Sequence, residues 1–250
     1  MSIKSLENLV SSKTYTDIFD VCIANTDQLK EEAFRLRYQV YCEELQYEPL
    51  SKFPNRMEID IYDSHSVHCL LKYKPSNSYI GYFRLVFAEN PDKKFPLENF
   101  FPDNWMDFSQ ISRLQFAEVS RLMVVSEFRS PSVQNELMQQ INEENLQISF
   151  PILTLSLYLS FISILVKYDI NYGLALMEPK LARHSRTVGF TSHPVGQNVI
   201  NFNGVRRPCL FRPTEIIANF SHKPQINYLF NIIQARIGRD LSFSRHHIAA

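Results

Sequence analysis

Fifteen consecutive residues, Ile152–Val166, contain no charged side chain. This run constrains the possible folds more than any other stretch. It is shorter than the roughly 20 apolar residues that a helix needs to cross a bilayer. Ser156, Ser160, Ser163 and Lys167 recur at helical spacing, which predicts a helix with one narrow polar stripe and an apolar surface elsewhere. Such a helix belongs in the core, packed against a sheet.

The segments around it supply that sheet. Asp27–Glu44 reads as a helix, with Thr26 or Asp27 as cap and the acidic Glu31 and Glu32 near its positive end. Val67–Tyr73 and Tyr79–Phe87 read as a hairpin around the turn-rich KPSNS, and Val119–Val125 as an apolar buried strand. A strand over Gly173–Met177, a helix over Pro179–Thr187, a hairpin over Asn198–Phe211 turning at Asn203–Gly204 and a helix over Asn227–Arg239 follow. This order suits one α/β domain with a mixed sheet over all 250 residues, with 1–20 as a polar lead-in and 215–250 as a C-terminal helical extension.

Composition removes several classes. Six glycines do not support a Gly-rich phosphate loop or a repeat architecture, and the four scattered cysteines form no Cys-x2-Cys pair. Neither a disulfide framework nor a zinc site is indicated, and no metal is expected even though His65 and His68 lie near the acidic pair Asp60 and Asp63. No basic region followed by an apolar core opens the chain, so a cytoplasmic location is expected. The net charge of zero hides an asymmetry. Residues 1–150 carry 15 Lys and Arg against 22 Asp and Glu, and residues 151–250 carry 11 against 4. The C-terminal half therefore presents a basic surface, but without any nucleic-acid motif.

Charges also sit inside or beside apolar runs in four blocks: FRLRYQVYCEE, EIDIYDSHSVHCLL, GYFRLV and AEVSRLMVV. They contain Arg37, Tyr41, Tyr47 just beyond the first, Glu58, Asp60, Asp63, Arg84, Glu118 and Arg121. Charged side chains are seldom buried unless paired, so these blocks predict a partly buried ionic network around a cleft. Arg37 and Arg84 fit equally as structural partners of the acids, and Tyr41 and Tyr47 as cleft walls or as core packing.

The set resembles the acyl-homoserine-lactone autoinducer synthases, which have an Arg-x3-aromatic helix, an Asp-x2-Asp pair, an arginine on a strand and a Glu-x2-Arg strand. More closely, it resembles the related PEP-CTERM/exosortase-system-associated acyltransferases, through LRYQVYCEE, EIDIYDSHSVH, MEPKLARHSRTVGF and NGVRRP. The resemblance implies a GNAT-like (acyl-CoA N-acyltransferase-like) fold, a mixed twisted sheet flanked by helices, with a central strand bulged within Glu118–Arg121. Residues three apart on a regular strand point to opposite faces, so a bulge, expected near Val119–Ser120, is needed for Glu118 and Arg121 to share a cleft.

Within that resemblance Glu118 is the candidate acid–base residue, because an ammonium group must lose a proton before it can attack a thioester. Arg37, Tyr41, Tyr47, Glu58, Asp60, Asp63, Arg84 and Arg121 are the candidate substrate-binding residues. The segment after Val125, SEFRSPSVQNEL, has no glycine to bring backbone amides onto a pyrophosphate. The expected donor is therefore the acyl-phosphopantetheine of acyl carrier protein, with no tightly bound cofactor. That acidic partner would dock on Arg183, Arg186, Arg206 and Arg207. The expected activity is fatty-acyl transfer to the amino group of an amino acid or small amine. Acyl-homoserine-lactone synthesis from S-adenosylmethionine and a catalytically silent carrier-binding protein are the alternatives. The autoinducer synthases usually carry Trp where this chain has Tyr47.

Overall fold

A computed structural model describes residues 14–102, 105–141, 151–200 and 204–242. Its strands are β1 (Phe19–Ile23), β2 (Ser66–Tyr73), β3 (Ser78–Phe87), β4 (Phe116–Val124), β5 (Tyr172–Met177), β6 (His193–Pro194), β7 (Val199–Ile200) and β8 (Val205–Phe211). Its α-helices are α1 (Tyr15–Ile18), α2 (Asp27–Tyr38), α3 (Pro131–Gln140), α4 (Ile152–Lys167), α5 (Pro179–Ser185), α6 (Pro213–Phe220) and α7 (Pro224–Ser242). Seven strands run side by side in the order β1-β2-β3-β4-β5-β8-β6, and β7 pairs with β8. Only β4 and β5 are parallel, so the sheet is mixed.

Local chemistry explains the first half-sheet. Thr26 caps α2 by accepting from the Leu29 amide. The β2–β3 hairpin closes with an Asn77 amide to Lys74 carbonyl bond, and Asn77 takes the left-handed conformation (φ 56°) that asparagine tolerates better than most residues. Side chains on β3 alternate between two helical layers. Tyr82 points toward Arg37 of α2 and Arg84 toward the loop acids Asp60 and Asp63, whereas Phe83 meets Phe161 of α4. At Gly81 an added Cβ would lie 3.3 Å from both Leu157 and Leu71, so the missing side chain lets α4 approach the sheet.

As expected, α4 is the central buried helix. Leu157, Leu159, Ile162, Ile164 and Leu165 are fully buried. Its serine hydroxyls return to the preceding turn, Ser156 to the Ile152 carbonyl, Ser160 to Ser156 and Ser163 to Leu159, at 2.6–2.8 Å. The polar stripe is thus satisfied within the helix and can be buried without water. Among the described residues no helix is long and apolar enough to cross a membrane.

Three features differ from the sequence reading. Tyr15, Ile18 and Phe19 lie in the core, where α1 and β1 form the start of the sheet; a short strand at an edge leaves little alternation to read. The expected C-terminal helical extension begins two residues earlier, at Pro213, and is divided into α6 and α7. α7 packs on β1 and α4, with Arg236 paired to Asp20 and Asp240 capping the Ile23 amide. The third difference is the bulge. Tyr82 faces Met123 and Arg84 faces Ser120, which leaves Arg121 and Leu122 together opposite Phe83. The bulge therefore lies at Arg121–Leu122, beyond the expected Val119–Ser120. Arg121 adopts φ 55°, a left-handed value that its Cβ disfavours. Asn203 of the expected hairpin turn falls outside the described residues, and the strands on either side of it pair through Ile200 and Val205.

Candidate active site

The sheet opens at its centre. β4 pairs with β5 only from Phe116↔Tyr172 to Glu118↔Leu174, after which the two strands run on apart. A cavity of ≈ 460 Å³ fills the gap, lined by residues 118–124 of β4 and by Ala175, Leu176, Met177 and Glu178 of the opposing strand and its continuation. That volume is within the range of small-molecule sites. Thr154, Tyr158 and Phe161, at i, i+4 and i+7 on α4, form one wall, with Phe190 and Phe211 behind. Tyr41 and Tyr47 form another.

Glu118 stands at the vertex where the strands part and is 3% exposed. Its Oε2 accepts the Leu97 amide at 2.8 Å. Burial pushes its carboxyl up to about 8, against the pull of the Leu97 amide and of Arg84 and Arg121, with Glu98 adding to the rise. Leu97 belongs to a short 3-10 turn, Pro96–Phe100, held by a separate clamp. Glu98 accepts from the Phe95 amide at 2.7 Å and from Trp105 Nε1 at 3.2 Å, and it pairs with Arg113. The Arg113 guanidinium in turn lies 4.1 Å from the Phe108 ring centroid. Nothing in the sequence signals this clamp, because the 90–107 segment has no periodicity and its contacts are long-range.

The expected ionic network is present, and it joins a helix, a loop and two strands. Arg37 Nε donates to Glu58 at 2.5 Å and its Nη1 to Asp63 at 2.6 Å. Arg84 Nη1 donates to Asp60 at 2.5 Å and to Asp63 at 2.8 Å, while its Nε reaches Ser120 at 3.1 Å. Arg121 completes the set with bonds to Glu58 at 3.1 and 3.3 Å and to Asp60 at 3.5 Å. Three guanidinium groups thus face three carboxylates. Burial alone would raise the Glu58 and Asp63 carboxyls, but the arginines beside them hold both below the ordinary range. Asp60 is the most open of the three, its side chain 26% exposed. His68 bonds to the Tyr82 hydroxyl at 2.7 Å, and its burial pulls it down to about 4, so it stays neutral. No cluster of metal-ligating side chains occurs among the described residues.

The bulge brings Arg121 into this network and the cavity at once. Its left-handed backbone turns the side chain toward Glu58, and its guanidinium lies 5.1 Å from the Tyr41 ring centroid. A second irregularity positions that ring. The helix expected over Asp27–Glu44 is α-helical only to Tyr38 and continues as a π-helical stretch from Gln39 to Glu44. The wider turn ends with the Tyr47 amide on the Tyr41 carbonyl at 2.8 Å, leaving the two rings 6.2 Å apart.

Of the candidate substrate-binding residues, Tyr41, Tyr47 and Arg121 line the cavity together with Glu118; Arg37, Glu58, Asp60, Asp63 and Arg84 are not among its lining residues. The four candidate docking arginines are also divided. Arg206 lines the cavity and pairs with Glu178 at 3.1 Å, and Arg207 donates to Asn198 at 2.8 Å. Arg183 and Arg186 are exposed, with Arg186 reaching the Ser192 carbonyl at 3.3 Å.

Residues 36–139 match the family model of the acetyltransferase (GNAT) domain. No curated protein matches the sequence. Among solved structures, TofI in a ternary complex with an inhibitor and MTA matches with a TM-score of 0.58 and 17% identity, over 84% of this chain and 99% of that one. BjaI, a CoA-dependent acyl-homoserine lactone synthase with SAM and isopentyl-CoA, matches with a TM-score of 0.55 and 18% identity, over 86% of this chain and 99% of that one. The AHL synthase LasI matches with a TM-score of 0.54 and 18% identity, over 78% of this chain and 88% of that one. The protein has a single GNAT-like α/β domain with a mixed sheet flanked by helices.

Proposed function

We propose that this protein is an N-acyltransferase that moves an acyl group from a thioester to the amino group of an amino acid or similar small amine. The observation that carries the reading is Glu118, a buried carboxyl raised to about 8 at the vertex of the cleft. A base in this range accepts a proton at neutral pH and can give it up again within one turnover. The acyl chain lies along the apolar wall of Tyr158, Phe161, Phe190 and Phe211. The amine enters beside Arg121, Tyr41 and Tyr47, and Asp60, outside the cavity lining, acts through its contact with Arg121.

In the reaction, Glu118 takes a proton from the amine through the oxygen not held by Leu97. The neutral nitrogen attacks the thioester carbonyl, backbone donors on the parted β4 strand stabilise the oxyanion, and collapse breaks the C–S bond. Glu118 passes that proton to the leaving thiolate and takes the second proton that the nitrogen sheds as the adduct collapses, which then leaves to solvent, so the products are an amide, a free thiol and one released proton.

The donor is acyl carrier protein, supported by the glycine-free segment after β4 and by the basic C-terminal half. This donor places the reaction in the cytoplasm. Association with an exosortase system rests on the sequence resemblance. The test incubates purified protein with long-chain acyl carrier protein or the matching acyl-CoA, and with an amine library that includes S-adenosylmethionine, followed by mass spectrometry. An N-acyl amine that disappears with E118Q is expected. A homoserine lactone formed from S-adenosylmethionine would replace the amino-acid reading, and no N-acyl product with any amine would overturn acyl transfer.

A further inference from the structure

The outer end of β4 carries a fixed carboxylate, Glu44, at the rim of the cleft. Beyond Val124 the chain turns through Ser126–Phe128 into α3, whose N-cap is Ser130. Backbone amides at such a strand-to-helix turn are natural phosphate ligands. Here the Ser126 amide already donates to Glu44 Oε2 at 2.9 Å, and Arg129 pairs with the same oxygen. Gln39 holds the other carboxylate oxygen at 2.9 Å, so Glu44 is fixed from both sides. Its side chain is 13% exposed and that of Arg129 38%. The place is the rim of the cleft, since Leu45, Val124 and Arg129 all line the cavity.

We propose that Glu44 selects the donor by charge. It occupies the amide and the guanidinium that would otherwise bind a diphosphate, and so favours a thioester whose arm ends in a single phosphodiester on a carrier protein over a nucleotide thioester. The phosphodiester of a carrier-linked arm bears one negative charge, whereas the diphosphate and ribose phosphate of coenzyme A bear several. Repulsion from a fixed carboxylate grows with that charge. At a partly exposed rim it is damped by solvent and salt but not abolished. Arg129, its charge already balanced by Glu44, has little attraction left for a multiply charged group. The glycine-free segment after β4 only weakened the case for a nucleotide donor; an occupied amide acts directly against one.

The inference rests on reading the cleft as a thioester donor site, and a binding measurement separates the two. Plain coenzyme A and holo acyl carrier protein are titrated by calorimetry into wild-type protein, E44Q and E44A at low and moderate salt. The melting temperature of each variant is recorded alongside. E44Q should bind coenzyme A about tenfold more tightly than wild type at low salt, with a smaller gain at moderate salt. The ratio of coenzyme A affinity to carrier affinity should rise by a similar factor. If E44Q unfolds, E44A carries the test. An unchanged coenzyme A affinity in a folded variant, or an equal gain for both donors, would overturn the selection. In a separate assay with acyl-loaded donors, a shifted binding ratio without turnover by any of the proteins would leave Glu44 as the selector and overturn acyl transfer.

Discussion

At the scale of single residues, Glu118 shows how placement decides chemistry. The same carboxyl on a solvated strand would be ionised throughout the neutral range and would bind a proton too weakly to act as a base. Burial raises it to about 8, so at pH 7 most of the resting protein holds the proton. In the proposed reaction the working form is the carboxylate. With saturating donor, kcat/KM should therefore climb with pH and level off above about 8, and E118Q should show no such limb and lose about a hundredfold or more in turnover. A flat profile between pH 6 and 9 would remove Glu118 from the proton transfer. The sequence singled out this residue as a candidate because its charge stands beside an apolar run and matches a glutamate of the family that the chain resembles. It could not identify Leu97, whose contribution is a backbone amide, or Glu44, which looks like one of many surface acids until its partners are seen.

At the scale of elements, the site is built from irregularities: a π-helical turn, a parted pair of strands and a bulge. The pattern of apolar residues located the strands and helices because it tracks burial. The bulge was implied by the three-residue spacing of Glu118 and Arg121 together with the family resemblance, which placed it near Val119–Ser120. Which residue takes the left-handed conformation is set by side-chain partners across the cleft, and here Glu58 and Asp60 hold Arg121 there. Both R121G and R121A lose these bonds, but glycine also removes the backbone cost. R121G should thus be the more stable of the two, by about 1 kcal/mol in denaturant unfolding. Equal stabilities would mean that the bulge carries no strain.

The clamp on the Pro96–Phe100 turn makes a second claim at this scale. R113A frees Glu98 and loosens the Leu97 amide from Glu118. Both losses favour the protonated carboxyl, so the rising limb of the pH–rate profile should move to higher pH while the melting temperature falls only modestly. A limb that stays in place would mean that the turn holds Leu97 without help from Arg113.

At the scale of the whole molecule, the acidic and basic halves meet at the cleft. The residues of the ionic network all precede residue 122, whereas α4, β5 and the segments after them supply the opposite wall, and residues 151–250 together carry the excess of positive charge. Exposed Arg183 and Arg186 should steer an acidic carrier, and R183E/R186E should raise KM for acyl carrier protein at least about tenfold, less so in high salt. The KM for a short acyl-pantetheine should barely move. Equal losses with both donors would assign these arginines to the fold. Arg206 is the exception within the group, since its partner Glu178 draws it into the cavity wall.

The short seam between β4 and β5 also governs how the protein assembles. Phe116 and Tyr172 lie 56 positions apart in the chain, so the seam closes a long loop, whereas β2 and β3 join through a tight turn. Such distant pairings form slowly. Until the seam closes, Glu118 is open to water and ionised at neutral pH; once it is closed, the group prefers to be protonated up to about 8. Closing the two halves at pH 7 therefore draws a proton out of solution. The native state holds this proton between about 4.5 and about 8, so stability falls as pH rises through that window. Refolding in weakly buffered dye should register the uptake as a small rise in pH, one that E118Q abolishes.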